Sequence, residues 1–304
     1  MNKIYLIKED YVNTRLDRWF KKNVSDVPQA LIEKNIRKGN IKVNNKKKIS
    51  SYKLELGDEV IIKNLKITPN LTKLKSEPYK ATKKELLFSS DIFIENNENF
   101  VVINKPAGIS VQSGTKSRRN ILDILRDTKE FNGFSPYSVH RIDKETTGIL
   151  IVAKNRKYAQ LFTSLFRIRK IHKIYLGIVL GEFEKNQGTF NDDLFHFDND
   201  REIKTKAITH FKIIDSNSRY SLIKLTPETG RKHQLRKHLL LHGHPILGDT
   251  KYRLSNKHFP KKSTLMLHAY KINFSISGIK YNFLANPPLV FKNFLKEKYL
   301  KNSL

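Results

Sequence analysis

The 304-residue sequence predicts an α+β protein built as two domains. Three observations predict it. Residues 13 to 62 hold a compact pattern of two amphipathic helices followed by short strands. Residues 63 to 90 carry Pro69, Pro78 and many lysines without periodicity, and read as a linker. From residue 91 to 304, short β-branched apolar runs mix with helical patterns, as expected of helices laid on one large sheet.

In the first domain, Leu16, Trp19 and Phe20 recur at helical spacing. Ser25 and Asp26 are placed to cap a second helix, with Pro28 in its first turn. Leu31, Ile32 and Ile36 give that helix an apolar stripe, and Gly39 stands where a C-terminal cap belongs. Ile41 and Val43 alternate with polar residues as a half-buried strand does. Asn44-Asn45-Lys46 reads as a turn, and Gly57-Asp58 precedes a last strand at Val60-Ile61-Ile62. One side is basic, with Arg15, Arg37, Lys38 and Lys42 among its cations. Charge alone fits a solvated face as well as a binding surface.

In the second domain, residues 99 to 104, 149 to 153, 174 to 180 and 220 to 225 read as strands. Residues 158 to 166 and 233 to 242 read as helices.

Composition narrows the function classes. The 58 basic and 29 acidic residues give a formal net charge of +29, which suits a polyanionic partner. Of the bases 43 are Lys and 15 are Arg, so the sign of the charge says more than its size. There is no cysteine, which excludes disulfides, thiol nucleophiles and cysteine zinc sites. Mean hydropathy is −0.52, and no long uncharged apolar run predicts a membrane span. The first ten residues turn acidic and polar too early for a secretory signal, so a cytoplasmic location is expected.

The segment His140-Arg141-Ile142-Asp143-Lys144-Glu145-Thr146-Thr147-Gly148 is the most informative. It places one carboxylate, Asp143, between two cations on a polar stretch with Thr-Thr-Gly turn chemistry, just before a buried strand. Flanking cations favour the charged form, and an ionised carboxylate suits a nucleophile better than a general acid. The same local pattern also fits a surface ion pair.

That segment resembles the signature His-Arg-Leu-Asp-x-x-Thr-Ser-Gly of the RNA pseudouridine synthases of the ribosomal large-subunit type, with Ile142 and Thr147 as the visible departures. Three more segments match in order: Asn104-Lys105-Pro106-Ala107-Gly108, Lys173-Ile174-Tyr175-Leu176, and Gly230 to Arg236 followed by Gly243 to Asp249. The resemblance implies a catalytic domain with a long mixed β-sheet and a central cleft, acting on RNA without cofactor or metal. It implies that Asp143 is the catalytic carboxylate, that Tyr175 stacks on the uracil, and that Arg236 pairs with Asp143. Leu235 would floor the base site, and Arg141 would enter the RNA stack when the target base leaves it. Lys105 with Pro106 would shape the sheet behind the aspartate.

Residues 31 to 44 and the order of elements around them resemble the S-four-type RNA-binding domain, which would hold RNA through phosphates at Arg15, Arg37, Lys38 and Lys42. Overall the chain is most similar to the C subtype of the large-subunit synthases, which implies large-subunit ribosomal RNA as partner. A monomer is expected. A sister synthase acting on other ribosomal sites or on transfer RNA, and a non-catalytic RNA-binding assembly factor, are the competing readings.

His233, His238, His242 and His244 cluster, and the pair 238 and 242 has metal-ligand spacing. Neighbouring Arg and Lys disfavour a cation there, so backbone or phosphate contacts are expected instead.

Overall fold

Two units divide the chain, Met1–Pro78 and Tyr79–Leu304. The computed structural model describes residues 2–25, 27–63, 90–112, 119–198, 201–254 and 264–301. The expected linker, apart from its ends, and Asp26 of the expected cap lie outside the described residues.

The first unit begins with a strand ahead of the expected boundary at residue 13. Strand β1 (Lys3–Leu6) pairs antiparallel with β3 (Glu59–Ile62), which also pairs with β2 (Ile41–Val43). The sequence hid β1 because its described side chains are mostly exposed, Ile4 and Leu6 at 61% each, so no alternation with a buried face marks it. Helices α1 (Leu16–Asn23) and α2 (Gln29–Lys38) pack beneath this sheet, with Leu16, Trp19, Phe20, Ile32 and Ile36 buried against Ile41, Val43 and Val60. Two expectations are corrected. Pro28 is the N-cap residue of α2 and not part of its first turn, since its ψ of 138° is extended. Leu31 is 38% exposed, so the buried stripe is Ile32 and Ile36. Gly39 ends α2 at φ 75°, the left-handed cap that glycine adopts without steric cost.

The second unit is built on a ten-stranded mixed sheet. Its strands are β4 (Phe93–Asn96), β5 (Phe100–Lys105), β6 (Tyr137–Ser138), β7 (Thr147–Ala153), β8 (His172–Leu180), β9 (Gln187–Asp198), β10 (Arg201–Ser216), β11 (Tyr220–Pro227), β12 (Leu267–Ile276) and β13 (Ile279–Leu284). The main order is β4-β5-β7-β12-β8-β11-β10-β9, with β6 against β7 and β13 against β12. Among the described strands only β7 and β12 pair in parallel.

Every residue of β7 is buried, which accounts for its unbroken apolar run. Leu150 and Val152 face one core with Val101, Ile103, Ile121 and Leu125; the last two lie on helix α3 (Ile121–Arg126). Ile149 and Ile151 face the opposite core with Phe100, Val102 and Phe162, the last on helix α4 (Arg156–Arg167). Asn120 and Asn155 cap α3 and α4 by accepting the backbone N–H groups of Asp123 and Tyr158. A third core under β8 and β11 includes Leu176, Ile178, Leu222 and Leu239, and it takes in helix α5 (Gln234–Leu241) and the C-terminal helix α6 (Leu289–Glu297).

The long β9–β10 hairpin was not read from the sequence, although Phe190, Leu194, Ala207, Thr209 and Ile213 are buried along it. Thr147 and Gly148, read as turn residues, in fact open β7. They pair with His268 and Ala269 of β12.

Candidate active site

The register of three strands brings the candidate residues together. Ala269 of β12 faces Gly148 of β7 on one side and Tyr175 of β8 on the other. The loop that leads into β7, bearing Asp143, therefore ends level with Tyr175. Close approach requires glycine at 148: its φ is 106°, and a Cβ there would lie 2.2 Å from the Ala269 carbonyl oxygen.

The Asp143 loop is pinned at several points. The Lys144 carbonyl accepts from the Gly108 N–H at 3.0 Å and from the Lys105 ammonium at 3.1 Å. Lys105 is fully buried on β5, and its Nζ also donates to the carbonyls of Pro106 and Ile109 at 2.6 and 3.0 Å. Burial pulls its pKa down to about 7, while three carbonyls match the three N–H donors of its charged form. At the start of the loop, His140 Nε2 accepts the Ile151 N–H at 2.8 Å, and the ring stacks on Phe166 at 4.6 Å. Burial brings its pKa to about 3, so it is neutral. At the end of the loop, the Thr147 hydroxyl meets His268 Nδ1 at 2.8 Å, while His268 Nε2 lies 2.9 Å from the Ala285 carbonyl.

Asp143, 24% exposed at its side chain, faces Arg236 from α5, with Nη1 3.3 Å from Oδ2. His233 Nε2 is 3.7 Å from Oδ1. The local cations Arg141 and Lys144 are both exposed, and the described contact to Asp143 comes instead from a residue 93 positions away. Arg236 is itself held from behind. Its Nε and Nη2 donate to the two oxygens of Asp249 at 2.7 Å each, and Asp249 is buried. Asp249 also accepts the N–H groups of Lys251 and Tyr252 at 2.9 Å. The turn needs glycine at 248, where φ is 77° and a Cβ would fall 1.9 Å from the Thr264 carbonyl oxygen. Tyr252 lies under the guanidinium at 5.0 Å and bonds His233 Nδ1 at 2.8 Å. The two carboxylates and these hydrogen bonds raise the pKa of Arg236 against the opposing effect of burial.

Sequence reading quoted Asp249 within a motif without giving it a role, and it did not single out Tyr252. The signal was thin: a carboxylate after glycine, thirteen residues from the arginine it holds.

Asp143, Tyr175, Arg236, Leu235 and Arg141 all line one cleft of about 740 Å³. Leu235, Ile142 and Leu267 supply apolar wall, while Arg167, Arg169 and Lys173 add positive charge. Burial and the Asp143 charge push the Tyr175 phenol up, so it keeps its proton at neutral pH. The ring is thus a neutral surface beside a carboxylate.

The first unit places Arg37 and Lys38 exposed and Lys42 half-buried. Arg15 departs from expectation: its fork is taken by the buried Asp17 at 3.1 and 2.6 Å, so it serves an internal pair before any phosphate. The histidines find protein partners: His238 meets Thr209, His242 meets Asp192, and His244 meets the Leu180 carbonyl. Among the described residues no group of three or more His, Asp or Glu is placed to hold a metal ion. No helix there is long and apolar enough to cross a membrane.

Comparison with known proteins gives consistent matches. The family model described as RNA pseudouridylate synthase matches residues 99–241. Ribosomal large subunit pseudouridine synthase C of Buchnera aphidicola subsp. Schizaphis graminum is 33% identical over 309 aligned positions, covering 96% of each chain. The protein of the same name from Buchnera aphidicola subsp. Baizongia pistaciae is 34% identical, covering 95% of each. Among solved structures, Human RNA Pseudouridylate Synthase Domain Containing 4 superposes with a TM-score of 0.63 at 24% identity, covering 72% of this chain and 98% of that one.

Proposed function

Since the chain belongs to the RNA pseudouridine synthase family, and so isomerises uridine to pseudouridine in RNA, we propose that its substrate is large-subunit ribosomal RNA and that Asp143 is its catalytic carboxylate. The observation that carries the second part is the shared cleft: Asp143, half-buried and 3.3 Å from Arg236, opens beside the Tyr175 ring. The relatives' printed name supports the first part.

The reaction breaks the bond from uracil nitrogen-1 to ribose, turns the ring and rejoins it through carbon-5; carbon-5 gives up its proton and nitrogen-1 gains one, so the product is an isomer. Asp143 acts on the sugar, by attack on the anomeric carbon or by taking a ribose proton; both need an ionised carboxylate held in reach. Arg236, fixed by Asp249, supplies the opposing charge that keeps the carboxylate aimed. Tyr175 gives the detached uracil a face to lie on, a contact worth about 1–3 kcal/mol per base. Leu235 closes the apolar floor. Arg141, exposed at the cleft, fills the gap left by the extruded base and offsets part of the few kcal/mol that extrusion costs. No cofactor or metal takes part.

The first unit acts as an S-four-type RNA-binding domain over residues 13–62, holding phosphates through Arg37, Lys38 and Lys42, with Arg15 braced by Asp17. The enzyme works as a cytoplasmic monomer.

Site-resolved pseudouridine mapping tests this reading. Unmodified large-subunit RNA transcript is incubated with the purified chain alone. The expected result is modification at a few discrete uridines. Modification of transfer RNA transcripts in place of ribosomal RNA overturns the substrate.

A further inference from the structure

Lys173 is a charged group of the cleft that the reaction, as derived above, leaves without a task. It lies on β8 two residues before Tyr175, so the strand's alternation turns both side chains to the same face, and both line the cleft. Its side chain is partly buried in the cleft, whose lining also includes Ile171, Phe166 and the neutral His140. No carboxylate offsets that burial: among the described residues Lys173 has no ion pair and no side-chain hydrogen bond, and burial alone pulls its pKa down. A half-buried ammonium without an acidic partner is unfavourable unless a ligand supplies the charge. Arg167 and Arg169, both exposed and also without a described partner, continue the positive wall from Lys173 toward solvent.

We propose that Lys173 is the seat for a backbone phosphate of the nucleotide whose uracil lies on Tyr175, with Arg167 and Arg169 taking phosphates of the strand that leaves the cleft. This rests on the RNA cleft described above. Its physical content is that one anion, the phosphodiester, supplies the charge that the protein withholds from Lys173, and so fixes the ribose between Tyr175 and Asp143. Lys173 is a positioning residue: it holds the nucleotide and does not exchange protons with the base.

The test compares wild type, Lys173→Gln and Lys173→Arg in RNA binding over a range of salt and in single-turnover modification. Lys173→Gln is expected to bind the modified RNA site about tenfold more weakly, with the slope of log affinity against log salt reduced by about 0.7–0.9, as for one lost phosphate contact. At saturating RNA its rate is expected to fall by a smaller factor than its affinity, as a less well fixed ribose meets Asp143 less often. Lys173→Arg should restore most of the affinity and the slope. A short RNA with one uncharged methylphosphonate linkage beside the target uridine should weaken wild type by the same factor and leave Lys173→Gln unaffected.

An unchanged salt slope in Lys173→Gln overturns the proposal. So does a loss of rate at saturating RNA with binding intact, which would make Lys173 a proton carrier. Thermal melts of each variant separate misfolding from lost contact. If wild type modifies no uridine, the functional reading fails on that result alone, whereas the salt slope still decides the phosphate contact.

Discussion

Arg236 stands between two carboxylates that differ in every physical respect. On the cleft side Asp143 is partly exposed, sits on a loop, and touches the guanidinium once at 3.3 Å. On the inner side Asp249 is buried, accepts both arms of the fork at 2.7 Å, and is further tied to two backbone N–H groups. The same arginine is thus fixed by one acid and offered to the other. A buried carboxylate that accepts four hydrogen bonds, like Asp249, is a structural anchor. One with a single side-chain hydrogen bond, at 3.3 Å, and an open face, like Asp143, retains the capacity to react. Burial and hydrogen-bond saturation separate the two roles more clearly than charge does.

Substituting each side in turn breaks this comparison most directly. Asp143→Asn keeps shape and removes charge, and is expected to lower pseudouridine formation on the order of 10³-fold or more while RNA affinity and melting temperature stay nearly constant. Retained turnover would sink the assignment of Asp143. Asp249→Asn should behave in the opposite way. It leaves Arg236 buried without its counter-charge and is expected to cost about 3–5 kcal/mol of stability in urea unfolding, with activity falling as a consequence. A stable, inactive Asp249→Asn would show that the inner acid also tunes the chemistry.

Tyr175 sharpens the cleft side. Tyr175→Leu is expected to weaken binding of target RNA about tenfold through the lost stack, whereas Tyr175→Phe keeps it. Equal binding losses in both would shift the weight from ring to hydroxyl.

The smallest effect is expected on the scaffold, from acid. His140, His238 and His268 are lowered by burial to about 3, 4 and 4, from an ordinary value of 6.5. As pH falls below 6.5 the unfolded chain takes up protons that the folded chain refuses, so stability is lost progressively from pH 6.5 downward toward pH 4. A melting temperature about 5 °C or more lower at pH 5 than at pH 7 is expected. A flat profile would mean that these rings are protonated in the fold.

Much of this was legible from the chain alone, and the reasons are local. The run at 149 to 153 is short and rich in Ile and Val, so it reads as a buried strand, as it is. Gly39 could only follow a helix that ends in the left-handed region. The motif segments placed Asp143, Tyr175 and Arg236 as candidates, and the structure lines one cleft with all three. Other features were out of reach. Strand β1 has little buried side to mark it, and Arg15 shows its commitment to Asp17 only once Asp17 is seen buried under Gln29.

The sequence by itself determined the positive charge and the element types around the motifs, and it set the expectation of two parts and a short roster of chemically able residues. These depend on periodicity, turn chemistry and composition, which act over a few neighbouring positions. Tertiary structure decided which cation meets which anion. The flanking Arg141 and Lys144 were the natural partners of Asp143 along the chain, yet Arg236 takes that place, held there by Asp249 thirteen residues further on. It also decided that Lys173 would be partly buried without an ion pair among the described residues. Strand register and the pairing of β7 and β8 with β12 set those distances, and pairings between residues far apart in sequence leave no local periodicity from which to read them.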